Sequence, residues 1–113
     1  RRLAIADQDI KLFGDGEEQR DHIHVEDVAD IVWNAIAAEV DGVFNAVSGS
    51  VTSFHDLAHL TKKVLGKDIS IISTPRKGVM PHNGYRAFDN SKVLETFPKV
   101  KIRSIEDGIS STI

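Results

Sequence analysis

Apolar and polar positions along the chain alternate between the periods of helices and of strands. From Glu26 onward Val28, Ile31, Val32, Ala35 and Ile36 recur at i, i+3, i+4, i+7 and i+8, on one helical face, with Asp27, Asp30 and Asn34 off it. The pattern predicts a helix ending near Asp41 and Gly42. Phe54, Leu57, Ala58, Thr61, Val64 and Leu65 form a second stripe, opened by Ser53 with Asp56 three residues on as a capping box and closed by Gly66. Two short helices are expected near the end of the chain. One starts around Asp89 to Ser91, and the other is capped by Ser104 with Asp107 at its third position. Between these lie extended runs. "IKLFGDGEEQRDHIHV" reads as a hairpin turning at Gly14-Asp15-Gly16, "GVFNAVSG" as a short buried strand, and "ISIIS" (69–73) as another. Thr74 to Phe88, with Pro75, Gly78, Pro81 and Gly84, reads as a loop long enough to be a functional flap. The expected class is therefore α/β, with short strands and about four helices.

Length and charge narrow the function. At 113 residues the chain is one domain with a modest core. The net charge of −3, with Lys and Arg scattered, argues against nucleic acid or an anionic membrane as main partner. Cysteine is absent, which removes disulfides and thiolate metal sites. No apolar run approaches the ~18 residues of a membrane span and no signal peptide is visible, so a cytoplasmic location is expected. The first residue is Arg1, with no Met before it, which suggests a processed product or, in preference, a piece of a longer protein.

The densest candidate chemistry is "EEQRDHIHVEDVAD", residues 17 to 30. His22 and His24 share one face of a strand, but zinc needs three or four converging ligands and no third histidine stands on this strand. His55 and His59 are spaced i, i+4, with Asp56 where H-E-x-x-H has its glutamate, and read as a solvated helix face. No G-x-S-x-G elbow is present, and no glycine-rich phosphate loop opens a helix. Glu26 and Asp27 suit the first turn of a helix. Arg20 has two readings: its fork of donors takes two oxygens of a phosphate or carboxylate ligand, or it pairs with Asp21, Glu18 or Asp27.

"GDGEEQRDHIHVEDVADIV", then "GVFNAVSGSVTSFHDLAHLTKKVLG", then "RAFDNSKV" together resemble the C-terminal part of the extended short-chain dehydrogenase/reductase family, from about Ile10 to the end. This is the family of NAD(P)-dependent nucleotide-sugar epimerases, dehydratases and reductases. The resemblance implies that residues 1–113 are a C-terminal substrate-binding region of a Rossmann-type enzyme, with the N-terminal cofactor half absent. It implies that Arg20 grips a sugar-nucleotide diphosphate, aided by Arg76 or Arg86. The family's glycine turn and its Tyr-x-x-x-Lys pair belong to the other half, and Tyr85 is followed four positions on by Asp89. No catalytic, cofactor-binding or metal residue is therefore expected here, and NAD or NADP would be bound by the missing half. His22 stands where the family has an aromatic. A nucleotide sugar is the implied partner, and helix faces that expect a Rossmann layer make a homodimer of the fragment an expected assembly. The alternative is a non-catalytic, dinucleotide-responsive or protein-binding module built on the same fold.

Overall fold

The structure is a computed structural model and describes residues 2–112. Its elements are α1 (Arg2–Ile5), β1 (Ile10–Phe13), β2 (Gln19–Asp21), α2 (Val25–Ala37), β3 (Val51–Ser53), α3 (Phe54–Leu65), β4 (Ile71–Thr74), a 3₁₀ turn (Pro81–Gly84), β5 (Tyr85–Arg86), α4 (Ser91–Thr96) and α5 (Ile105–Ser111). They form two small sheets. β1 pairs in parallel with β4, and β2 is the centre of a mixed sheet in the order β3-β2-β5.

The helices follow from local signals. The α2 N-terminus is closed by His24, whose Nδ1 accepts from the Glu26 amide at 3.2 Å. Ser53 Oγ accepts from the Asp56 amide at 3.0 Å, and Gly66 ends α3 at φ 63°. Ser104 Oγ does the same for the Asp107 amide at 3.1 Å. α2 stops at Ala37, short of the expected Asp41, because Glu39 turns the chain at φ 51°. The one-turn α1 carries no periodic stripe and was not expected. It packs on α3 through the fully buried Ala4.

The expected hairpin does not form. Gly14 donates to the Thr74 carbonyl (2.7 Å), and the Gly16 and Glu18 carbonyls accept from the His55 and Phe54 amides (2.9 and 3.1 Å). The backbone after β1 is thus claimed by β4 and by the start of α3, and β1 and β2 end in different sheets. "GVFNAVSG" is likewise not a strand: it has no ladder partner among the described residues, although Phe44 and Ala46 pack on the core. The stretch expected to be all loop contains the 3₁₀ turn and β5, which ties it to β2.

Ile31, Val93, Phe97 and Val100 form one buried cluster, flanked by Ile23, Ala35, Phe44, Ala46 and Ile102, and Ala4, Leu12, Ala58 and Ile69 are buried as well. Asp27, almost fully buried, fastens α2 to the segment before α5, accepting from the Arg103 amide (3.0 Å) and Nε (2.8 Å). Among the described residues no helix is long and apolar enough to cross a membrane.

Candidate functional site

The site is built on β2. Asp21 accepts from the Ser48 and Gly49 amides, both at 2.8 Å, and strand alternation directs Arg20 to the other face. In the parallel β2–β5 ladder Arg20 is the register partner of Arg86, so two guanidinium side chains leave one face of the sheet side by side. Like charges so placed repel unless a counter-charge or ligand joins them. Arg20 Nη2 pairs with the Glu18 carboxylate and also donates to the Pro81 carbonyl at 3.1 Å, while Nη1 donates to the Gln19 carbonyl at 2.8 Å. Of the three internal partners left open by the sequence, the fold selects Glu18. Asp21 and Asp27 are engaged elsewhere.

Arg76 comes to the same carboxylate, its Nη2 lying 3.3 Å from Glu18 Oε2 and donating to the Phe13 carbonyl at 3.3 Å. Its Nε is buried, 3.8 Å from Glu17, and has no hydrogen-bond partner. Arg86 Nη1 donates to His82 Nε2 at 2.9 Å, and its guanidinium lies 5.2 Å from the centre of the Phe88 ring. The fold therefore gathers Arg20 and Arg76 on one carboxylate and places Arg86 beside Arg20.

A cleft of about 550 Å³ opens next to them, lined by Phe13, Thr74, Pro75, Arg76, Lys77, Val79 and Pro81. Its volume falls in the range of small-molecule sites. Phe13 is 74% exposed. An aromatic face beside cations suits a ligand with a flat ring and an anionic group. Phe13 and Lys77 were missed in the sequence, where an aromatic before a glycine turn looks like any strand residue, and so was the sharing of Glu18 with Arg76. A smaller cavity of about 180 Å³ lies against α5, and its Arg103 is held by Asp27 and Glu26.

The histidines do not converge. His24 caps α2, and His22 lies edge-on to the Phe54 ring at 5.7 Å with its Nε2 buried and unpartnered. Burial holds the His22 pKa below the ordinary value, outweighing the neighbouring Asp21. His55 and His59 rings lie 4.5 Å apart on the exposed side of α3. Among the described residues no three His, Cys, Asp or Glu side chains form a group that holds a metal. A dinucleotide does not fit these residues either. The α2, α3 and α5 N-termini are each closed by a side chain, and no glycine-rich turn opens any of them to a diphosphate.

Comparison with known proteins points one way. The profile of the NAD dependent epimerase/dehydratase family matches residues 1–47. ADP-L-glycero-D-manno-heptose-6-epimerase of Nitratidesulfovibrio vulgaris is 23% identical over 104 residues, 89% of this chain and 32% of that protein. UDP-N-acetylglucosamine 4-epimerase from Methanobrevibacter ruminantium M1, solved with UDP-N-acetylmuramic acid, superposes with a TM-score of 0.84 at 21% identity, over 98% of this chain and 35% of that one. The Bordetella bronchiseptica enzyme WbmF, solved with NADH, gives 0.80 at 29% identity, over 97% and 32%. The chain thus spans about a third of the length of the relatives it matches.

Proposed function

We propose, from the membership of the extended short-chain dehydrogenase/reductase family that these matches support, that this chain is the nucleotide-sugar grip of a larger NAD(P)-dependent epimerase or dehydratase. One observation carries the reading: Arg20 and Arg86 are register partners, Arg76 shares the Glu18 carboxylate with Arg20, and Arg76 lines a cleft of small-molecule size whose Pro81 accepts from Arg20. A diphosphate offers these forks several oxygens at once, which strengthens and orients the contact. Phe13 offers a face for the base, and Arg76 lines the cleft with its forked guanidinium. Hydride chemistry belongs to the cofactor and to the part of the protein that binds it. These residues hold the diphosphate end of the substrate and so fix the sugar against that part, spending binding energy remote from the reacting carbon. A non-catalytic module would share this grip, and no residue described here favours it.

Calorimetric titration with UDP tests the reading. Arg20→Ala should weaken binding by about 1.5–3 kcal/mol, the cost of losing a charged hydrogen-bond partner, and uridine should bind far more weakly than UDP. An unchanged affinity in Arg20→Ala would leave Arg20 as the salt-bridge partner of Glu18 and nothing more.

A further inference from the structure

We propose that the turn Pro81–Gly84 is a latch that occupies the paired arginines in the unliganded protein and is displaced when an anion enters. This rests on reading Arg20 and Arg86 as the diphosphate grip. Two consecutive residues of the turn each hold one of the two register partners: the Pro81 carbonyl takes Arg20 Nη2 at 3.1 Å, and His82 Nε2 takes Arg86 Nη1 at 2.9 Å. A guanidinium only donates, so His82 Nε2 is the acceptor and that ring carries its proton on Nδ1. Both acceptors are neutral and stand where phosphate oxygens would bind. Hydrogen bonds from a cation to an anion are stronger than those to a neutral acceptor, so a diphosphate wins the exchange.

The turn is also held uphill. His82 (φ 51°, ψ 35°) and Asn83 (φ 50°, ψ 28°) are successive non-glycine residues in the left-handed region. Such backbone persists only where its surroundings hold it. Pro81, His82 and Asn83 are exposed, and the contacts with the two arginines bridge the turn to the sheet. Pro81 lines the cleft as well, so its departure frees Arg20 and widens the cleft in one movement. Ligand affinity is then reduced by the fraction of chains that are latched.

UDP titrated into the unmodified chain and three variants tests this. His82→Ala removes the hold on Arg86. Asn83→Val touches neither arginine contact but puts a β-branched residue at positive φ, which disfavours the latched turn. Both should bind UDP more tightly, roughly three- to tenfold, the worth of about one hydrogen bond. Weaker binding in His82→Ala would make His82 a ligand contact, and unchanged binding in both variants would remove the latch; either result overturns the proposal. Arg20→Ala separates the two readings. If it loses UDP while the turn variants do not gain, the grip stands and the latch falls. If it binds as before, or the unmodified chain takes no UDP, both fall. A second measurement needs no variant: the Tyr85 amide, which donates to the His82 carbonyl, should exchange faster once UDP is bound. Equal or slower exchange would contradict displacement.

Discussion

His22 carries an uncompensated cost in the fold: its Nε2 is buried beside Phe54 with no hydrogen-bond partner, and burial lowers its pKa below the ordinary value of about 6.5. The folded chain therefore binds fewer protons than the unfolded chain between the two pKa values. Stability falls as pH drops from about 6.5 through the folded value, and the loss levels off below it. His22→Phe should flatten this acid slope, which urea midpoints near pH 7.5 and near pH 5 would measure. Parallel losses in the two proteins would reject the role of His22. The sequence exposed the residue types at this scale but not their partners. Arg20 was legible as a forked donor at a strand end, whereas Glu18 as shared counter-ion depends on Arg76, 58 positions away, and Arg86 as neighbour on a pairing 66 positions away in sequence.

Helices were legible because their signals are local: Ser53, Gly66 and Ser104 sit where caps are needed, and the apolar stripes repeat within a few turns. The positions of β1, β2 and β4 were legible as extended runs, but their pairing was not, because a ladder partner is a non-local fact. Gly14 and Gly16 suit a hairpin, yet β1 is completed by β4, some sixty residues on. Pairing of this kind makes the turn at residues 48–50 a joint between elements. Asp21 of β2 accepts its two amides at 2.8 Å, and Asn90, at the start of α4, donates to the Ser48 carbonyl at 2.8 Å. Gly49 sits at φ 80°, where an added Cβ would lie 2.5–2.7 Å from the Asn90 amide group. Gly49→Ala should destabilise the chain by at least ~1–2 kcal/mol, the cost of left-handed backbone alone. Asp21→Ala should cost about 1.5–3 kcal/mol for its carboxylate bonds. The two losses should not add in the double variant, because they break one joint. A Gly49→Ala chain within about 0.5 kcal/mol of the parent, the spread of ordinary surface changes, would refute this account.

As a whole molecule the chain is a slab of 47 × 32 × 15 Å. Its radius of gyration is 16.3 Å, against about 13 Å for a compact chain of this length. Its accessible surface is 7599 Å², against about 6,100 Å² for a folded monomer of this mass. The excess includes exposed apolar residues: Val25, Val32, Trp33 and Ile36 of α2 are exposed while Ile31 faces the core, Val43 is exposed as well, and the run 42–49 has no ladder partner among the described residues. A helix stripe and an extended run left exposed in this way are what a layer of an α/β domain presents to a second layer. Relatives about three times as long have the residues to supply it. Trp33, the single tryptophan and 69% exposed, reports on this directly. In the dilute chain its emission should be that of a wet indole, quenched by iodide. In a longer protein carrying the N-terminal portion of its relatives, the emission should shift to the blue and lose the quenching. Replacing Trp33 and Ile36 by Glu should leave the stability of the chain itself within about 0.5 kcal/mol per site, since neither touches the core cluster. Blue emission that reddens on dilution would instead assign the cover to a second copy of the chain. NADH supplies the control: with the α2, α3 and α5 N-termini capped and no glycine-rich phosphate turn at any of them, the chain should not bind it. Saturable micromolar binding of NADH would mean that the slab holds a cofactor site of its own and is not one half of an enzyme.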